Sequence, residues 1–198
     1  MNTFSYLIYK KFRMLTAPIY LIIDLIPLNS VILDLGCGRG IITEEIKRRR
    51  APKRYTGVDL NYKNTEFLRR RFPDFLFVST DALEFVKICI DKNEQYDCII
   101  ISDMLYLIDD ELKRELIANA YKILSNGGVM IIKEAGHNLL LFLQEYISVK
   151  ILHLTEGTTI NLQSVRFYED VIREVTTNYV IINIRRLWYP HFIIVIKK

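Results

Sequence analysis

Three glycines spaced two residues apart follow a short apolar run, and their spacing is the clearest chemical signal in the sequence. Residues 31–40 read VILDLGCGRG, so Gly36, Gly38 and Gly40 come directly after an apolar segment that contains Asp34. Glycines at the end of a strand allow a tight turn whose backbone a ligand can approach closely. The dinucleotide fingerprint G-x-G-x-x-G, which holds a pyrophosphate, is one residue longer. The pattern therefore favours a ligand without a phosphate at this turn.

Three further segments carry polar side chains at or just after the ends of predicted strands. The segments are GVDL with Asp59, STDALEF with Asp81, and SDMLYLI with Asp103 and Tyr106. The residues Leu60, Ala82 and Met104 directly follow the three acids. The carboxyl ends of parallel strands share one edge of a sheet, so these side chains are expected near the glycine turn. Each acid also has a simpler interpretation. Asp34 could cap a turn, and Asp59 and Asp81 could cap the helices that follow them.

Strand and helix patterns alternate along the chain and must position these groups. The predicted helices cover residues 41–50, 61–72 and 83–90, and another begins at Asp109 or Asp110 and ends at Gly127 and Gly128. The predicted strands cover residues 31–35, 55–60, 75–80, 97–102, 128–133, 179–187 and 192–196. Only WYPH separates the last two strand signals, which is too short for a crossover helix. We predict an α/β fold with a doubly wound, mostly parallel seven-stranded sheet and a C-terminal antiparallel hairpin.

Over residues 31–134 the chain resembles the class I S-adenosylmethionine-dependent methyltransferases. The resemblance rests on LDLGCGRG, GVDL, STDALEF, SDMLYLI and LSNGGVMIIKE, which follow one another in the order and spacing of that family. It implies a Rossmann-like methyltransferase fold, S-adenosylmethionine as cofactor and S-adenosylhomocysteine as product. It also implies the roles of the matching residues. Asp59 and Leu60 lie at the ribose, Asp81 and Ala82 line the adenine pocket, Asp103 and Met104 flank the sulfonium and substrate, and Asp34, Gly36, Cys37, Gly38 and Gly40 form the loop.

Composition narrows the remaining function classes. The chain has 198 residues and a net charge of +4, which fits one domain over residues 1–198 and leaves nucleic acid open as a partner without favouring it. Its three cysteines and three histidines show no metal-ligand spacing, so we expect no metal and a reducing, cytoplasmic location. No apolar run is long enough to span a membrane. The basic and apolar N-terminal segment is still compatible with peripheral membrane contact.

The acceptor is predicted mainly by elimination. The segment SDMLYLI lacks the proline-rich loop typical of amino methylation of adenine or glutamine, and Cys98 falls inside a predicted strand rather than a Pro-Cys loop. Residues 1–28, a predicted helical lid, and residues 135–174, a predicted acceptor-pocket insertion, are rich in large apolar side chains. We predict transfer to an oxygen of an apolar small molecule or lipid. An RNA or protein methyltransferase, and a non-catalytic S-adenosylmethionine-binding partner protein, remain as alternatives; the oligomeric state is left undecided.

A hydroxyl acceptor would also need a base. His137 follows the fifth predicted strand, and histidine titrates in the range suited to proton removal near neutral pH. Glu134 is predicted to orient His137 or to replace it, while Tyr106 and Tyr168 are predicted to hold the acceptor. The alternative is that positioning alone suffices, because the sulfonium already carries the activation.

Overall fold

A computed structural model of the chain describes residues 3–135, 160–186 and 189–198. The helices are α1 (Thr3–Thr16), α2 (Ile19–Leu25), α3 (Ile41–Arg49), α4 (Tyr62–Arg71), α5 (Ala82–Asp91), α6 (Asp110–Lys122) and α7 (Val165–Arg173). The strands are β1 (Val31–Leu35), β2 (Arg54–Asp59), β3 (Leu76–Ser79), β4 (Tyr96–Ser102), β5 (Leu124–Ala135), β6 (Tyr179–Arg186) and β7 (Tyr189–Lys197). A 3-10 turn, Leu105–Leu107, lies between β4 and α6.

The described strands form one seven-stranded sheet in the order β3-β2-β1-β4-β5-β7-β6. Strand β1 pairs in parallel with β2 on one side and with β4 on the other. Strand β7 pairs antiparallel with both β5 and β6. The predicted fold class and the C-terminal hairpin are therefore confirmed. The direction of winding reverses between β1 and β4, and in such sheets ligands bind at the carboxyl ends of the strands at that point.

Two apolar clusters cover the two faces of this sheet. Side chains alternate along a strand, so Leu33 and Leu35 enter one cluster while Ile32 enters the other. Helices α5, α6 and α7 contribute to the first cluster, and α2, α3 and α4 contribute to the second. The central strands are buried on both faces, as the continuous apolar run of β4 predicts.

Local side-chain caps begin four of the described helices. Asn61, Asp81, Asp109 and Ser164 each accept a hydrogen bond from a backbone N–H in the first turn of α4, α5, α6 and α7 respectively. Such caps satisfy donors that have no partner inside the helix. The two loops that begin α4 and α5 are thus held in place at the same sheet edge as the glycine turn.

The prediction that α6 ends at Gly127 and Gly128 is wrong. Helix α6 ends at Lys122, and β5 already begins at Leu124, where it pairs with Tyr96. The register then shifts between Tyr96 and Cys98, so the glycines form an irregularity inside the strand. Gly127 has φ +77 and donates its N–H to the carbonyl of Lys198. The pairing of β4 with β5, which sequence periodicity does not contain, decides this boundary.

The N-terminal segment has two different roles. Ile19, Ile22 and Ile23 of α2 are buried in the second cluster, so α2 is part of the core, and Ile19 also lines the cavity described below. Helix α1 packs across α3, where the buried Tyr6 donates a 2.6 Å hydrogen bond to Glu44. Both α1, through Arg13, and α2, through Ile19, reach the cavity, and the predicted lid over residues 1–28 stays a prediction.

Some sequence predictions fall outside the described residues. Residues 136–159, which hold most of the predicted acceptor-pocket insertion together with His137 and His153, are among them. Within the ranges described above, no helix has the length and apolar character needed to cross a membrane. The same ranges contain no cluster of histidine, cysteine or acidic side chains that would hold a metal ion.

Candidate functional site

A cavity of about 350 Å³ opens at the carboxyl ends of the parallel strands, beside the switch between β1 and β4. Of the residues predicted to bind the cofactor, only Gly40 does not line this cavity. The others all line it: Asp34, Gly36, Cys37, Gly38, Asp59, Leu60, Asp81, Ala82, Asp103 and Met104. Four segments far apart in the sequence thus meet at one site. Apolar side chains complete its wall, among them Ile19, Ile41, Leu107, Ile108, Leu112 and Leu116.

The glycine turn passes between β1 and α3 in a conformation that few other residues adopt. Gly36, Gly38 and Gly40 have φ angles of +74, +53 and +75. A Cβ on Gly36 would lie 2.8 Å from Cγ of Met104, and one on Gly40 would lie 2.3 Å from Cδ2 of Leu68. Gly40 therefore supports the turn through its packing against α4, although it does not line the cavity.

Asp59 ties the glycine turn to the end of β2. Its Oδ2 accepts a 2.8 Å hydrogen bond from the Gly38 N–H. Its Oδ1 accepts hydrogen bonds from the Asn61 N–H at 2.9 Å and from Asn64 Nδ2 at 3.2 Å. The two carboxylate oxygens have four lone pairs, of which three are used, so Oδ2 can accept one further hydrogen bond from a ligand hydroxyl. Asn61 and Asn64 also line the cavity, and the only sequence signal for them was the helix start at residue 61.

Asp81 caps α5 and also lines the cavity, while its predicted contact with the cofactor stays a prediction. Its Oδ1 caps α5 by accepting hydrogen bonds from the Leu83 N–H at 2.8 Å and the Glu84 N–H at 3.1 Å. It lines the cavity as well, next to Ala82 and Thr80. The cap orients the carboxylate, so the structural role and a contact with a ligand are compatible.

Asp34 is a buried carboxylate at the base of the turn, with 1% of its surface exposed. Its Oδ2 accepts a 2.6 Å hydrogen bond from the Tyr55 hydroxyl. Burial raises the pKa of Asp34 to about 7, against the opposing effect of that hydrogen bond. Burial thus makes the neutral form of Asp34 more favourable than it is for an exposed carboxyl group.

Asp103 begins the loop after β4 and joins two cations at the cavity wall. Its φ is +54, and its carboxylate binds Lys133 Nζ at 2.5 Å and also pairs with Arg13 of α1. Burial alone would raise the pKa of Asp103, but the charges of Arg13 and Lys133 hold it well below its usual range. Arg13 itself lines the cavity. No sequence motif pointed to Arg13, because its partner is 90 residues away.

Glu134 lies behind the cavity wall and does not line the cavity. Its Oε1 accepts hydrogen bonds from the N–H groups of Met104 at 3.0 Å and Leu105 at 2.9 Å. Among the described residues its Oε2 has no hydrogen-bond partner. Burial, with the nearby charge of Asp103, raises the pKa of Glu134. These contacts make Glu134 a positioning residue for the loop that carries Met104, and its predicted catalytic role stays a prediction.

The tyrosines and the remaining histidine are placed differently from one another. Tyr106 lines the cavity, and its predicted role in holding the acceptor stays a prediction. Tyr168 is buried in the first apolar cluster and does not line the cavity, so the structure does not bring it to the site. His191 is buried, bonds the Thr16 carbonyl through Nε2 at 2.8 Å, and has its pKa lowered to about 4 by burial.

The described part of the chain has the Rossmann-like fold of the class I methyltransferases. Residues 32–128 match a family model described as "Methyltransferase domain", which confirms the resemblance found in the sequence. A methyltransferase from Archaeoglobus fulgidus, described as SAM dependent, has a TM-score of 0.77 at 20% identity and covers 98% of this chain and 99% of its own. Magnesium protoporphyrin IX methyltransferase from Synechocystis PCC 6803, solved with bound SAH, has a TM-score of 0.67 at 15% identity and covers 96% and 84%.

Curated relatives extend beyond this chain. Malonyl-[acyl-carrier protein] O-methyltransferase 1 from Ilyobacter polytropus is 24% identical over 162 residues, which is 74% of this chain and 58% of that protein. Ribosomal RNA large subunit methyltransferase G from Vibrio vulnificus is 26% identical over 102 residues, which is 49% of this chain and 27% of that protein. The chain thus spans between about a quarter and three fifths of these two relatives' lengths.

Proposed function

We propose that the protein transfers a methyl group from S-adenosylmethionine to an oxygen of an apolar small molecule or lipid. The observation that carries the proposal is the meeting of the glycine turn, Asp59, Asp81 and the Asp103 loop around one cavity. Asp59 offers the free lone pair of its Oδ2 to a ribose hydroxyl, while Ala82 and Leu83 offer an apolar surface to a planar base. The donor would supply an activated methyl group, so the chain's own residues need mainly to position two ligands and exclude water.

The apolar wall supports an apolar acceptor. Ile19, Leu107 and Ile108 line the cavity together with Tyr106, whose ring can pack against a hydrophobic group. The curated O-methyltransferase among the relatives supports oxygen as the atom that receives the methyl group. Peripheral contact with a membrane, through which a lipid acceptor would arrive, belongs to the same proposal.

The ion pairs of the surface arginines make nucleic acid a less favoured acceptor. Arg48 and Arg49 pair with Glu45, and Arg69 and Arg70 pair with Glu66. Arg50 and Arg71 pair with Asp24 and Glu44. Six arginines share four carboxylates, so these ion pairs lower, without cancelling, the positive charge that phosphate binding would require. One relative is a ribosomal RNA methyltransferase, so RNA is the next acceptor to test if no small molecule is methylated.

Calorimetry and a transfer assay test the proposal together. We expect S-adenosylmethionine and S-adenosylhomocysteine to bind with micromolar affinity, about 8 kcal/mol, because the cavity offers several fixed polar contacts. Radiolabelled methyl transfer is then measured with separate pools of lipid extract, small metabolites, protein and RNA. We expect label in the lipid or metabolite pool. If label appears only in RNA or protein, the proposed acceptor is wrong and that class of molecule takes its place. If the donor does not bind, the methyltransferase function itself is overturned.

We propose His137 as the base that removes the acceptor proton. It follows the end of β5 by two residues in the sequence, and the ends of the parallel strands border the cavity. Replacing His137 with alanine is expected to lower the transfer rate about a hundredfold near neutral pH. The measurement is single-turnover transfer against pH, with donor affinity as the control for folding. A rate within about threefold of the parent would show that positioning alone is sufficient.

A further inference from the structure

Four polar side chains form a cluster between α6 and the part of the chain that follows residue 159. They are Asp110 and Lys113 of α6, with Asn161 and Gln163 just before α7. Residues 160–174 are the described end of the segment predicted to build the acceptor pocket. None of these four side chains lines the cavity. Any effect of the cluster on a ligand therefore passes through other residues.

Lys113 is a cation with no exposed surface. Its Nζ donates hydrogen bonds to Asp110 Oδ1 at 2.8 Å and to the Asn161 carbonyl at 2.9 Å, and it lies 5.7 Å from the centroid of the Phe167 ring. A buried ammonium group is costly unless its partners compensate the charge. Two of these partners, Asn161 and Phe167, follow residue 159. Burial of Lys113 therefore requires residues 160–167 to pack against α6.

The side-chain amide of Asn161 is held at both its nitrogen and its oxygen. Its Nδ2 donates to Asp110 Oδ1 at 2.8 Å, and its Oδ1 accepts from Gln163 Nε2 at 3.1 Å. Gln163 Nε2 also donates to Asp110 Oδ2 at 2.8 Å. Hydrogen bonds to a carboxylate are stronger than those between neutral groups. Asp110 thus fixes the orientation of Asn161.

Asn161 in turn bonds the backbone of the cavity wall. Its N–H donates to the Tyr106 carbonyl at 2.7 Å, and its Nδ2 donates to the Ile108 carbonyl at 3.4 Å. Tyr106, Leu107 and Ile108 all line the cavity. A change in the position of Asn161 would therefore move this part of the wall, although Asn161 does not line the cavity itself.

This part of the wall lies across the sheet from the predicted donor contacts. Asp59 and Asp81 follow β2 and β3, which lie on one side of β1. Residues 106–108 follow β4, which lies on the other side of β1. The side chain of Tyr106 is also the one predicted to hold the acceptor. Asn161 is thus placed to affect the acceptor more than the donor.

We propose that Asn161, held by Lys113 and Asp110, positions residues 106–108 for the acceptor and thereby determines acceptor affinity. The inference rests on the proposed function and adds a residue that carried no motif in the sequence. Asn161 is a positioning residue, because it acts through the wall. It joins the described end of the predicted acceptor-pocket segment to the cavity.

Transfer kinetics of the Asn161→Ala protein test the proposal. The acceptor is supplied as the pool that takes up label with the parent protein, at increasing pool concentration. We expect the apparent KM for the pool to rise about tenfold while kcat changes less than about threefold, because positioning is lost and no reacting group is removed. The dissociation constant of S-adenosylhomocysteine, measured by calorimetry, is expected to stay within about twofold of the parent value, because its predicted contacts do not involve Asn161.

Amide hydrogen exchange, followed by NMR, tests the same role without an acceptor. The N–H groups of Leu107 and Ile108 donate to the carbonyls of Met104 and Leu105, so their exchange reports opening of the wall. We expect both amides to exchange about tenfold faster in Asn161→Ala than in the parent, because the wall loses side-chain support.

Three further variants sharpen the test. Asn161→Asp keeps the side-chain size but cannot donate to Asp110 and places a second negative charge beside it, so we expect effects at least as large as those of alanine. Gln163→Ala removes a donor to Asp110 and is expected to change KM and exchange in the same direction by a smaller factor. The matched control is Asn119→Ala, because Asn119 bonds Lys122 of the same helix and does not line the cavity.

The outcomes separate this inference from the proposed function. If S-adenosylhomocysteine does not bind the parent or no pool takes up label, the proposed function fails, whereas amide exchange still decides whether Asn161 holds the wall. If Asn161→Ala weakens S-adenosylhomocysteine binding as much as it raises the apparent KM, Asn161 is overturned as an acceptor-side residue. If exchange becomes faster while the apparent KM stays at the parent value, its role is structural only and the inference is overturned. If both measurements match those of Asn119→Ala, the positioning role is overturned. If Asn161→Ala does not fold, Gln163→Ala decides by the same two measurements.

Discussion

Replacing Asp59 with alanine is expected to weaken the binding of S-adenosylmethionine about thirtyfold. The carboxylate accepts hydrogen bonds from the Gly38 N–H, the Asn61 N–H and Asn64 Nδ2, and it is the group proposed to receive the ribose hydroxyls. Alanine would remove the ligand contacts and also release the glycine turn from β2. Loss of hydrogen bonds to a charged acceptor costs about 2 kcal/mol, which corresponds to the stated factor. Calorimetric titration with the donor measures it.

Two further variants give this measurement its controls. Asp59→Asn keeps one carbonyl oxygen for the Gly38 N–H and is expected to give an intermediate loss, because the amide nitrogen cannot accept a second hydrogen bond. Asp74→Ala removes an exposed carboxylate that pairs with Lys47 outside the cavity and is expected to leave donor affinity unchanged. Parental affinity in the Asp59→Ala protein would mean that Asp59 serves only the local turn.

Replacing Glu134 with alanine is expected to lower the free energy of unfolding by about 3 kcal/mol. Its Oε1 is the acceptor for two successive backbone N–H groups, those of Met104 and Leu105. Leu105 is fully buried, so its N–H would lose its partner without gaining water. Each buried N–H donor left unpaired costs about 1–3 kcal/mol. Removing the buried carboxyl group also removes the cost of burying it, which offsets part of the loss from the two N–H groups. Urea unfolding monitored by circular dichroism measures the change.

The conservative variant separates the hydrogen bonds from the charge. Glu134→Gln keeps an oxygen that can accept from both N–H groups, and we expect it to retain most of the stability that alanine removes. Glu134→Ala should also weaken donor binding, since Met104 lines the cavity and contacts the glycine turn at Gly36. Equal stabilities of the alanine variant and the parent would contradict the positioning role.

The meeting of the glycine turn, Asp59 and Asp81 at one cavity was predictable from the sequence because its signals are local. Positive φ angles at Gly36, Gly38 and Gly40 are a property of glycine itself, and the spacing of the three residues already implies the turn. Asp59 and Asp81 follow strand signals directly, so the parallel sheet brings both acids to the cavity without any further information. The alternation of strands and helices likewise determined the doubly wound sheet and its antiparallel end.

Other features depend on pairings between residues far apart in the chain, and only the tertiary structure decided them. The contact of Arg13 with Asp103, the support of Met104 by Glu134, and the hydrogen bond from Tyr55 to Asp34 each join different elements. The bulge that takes Gly127 and Gly128 into β5 likewise comes from the register with β4. Residue type and periodicity show that a side chain must be buried or that the backbone must form a turn. The partner of that side chain depends on strand order and register, which arise from packing the whole sheet.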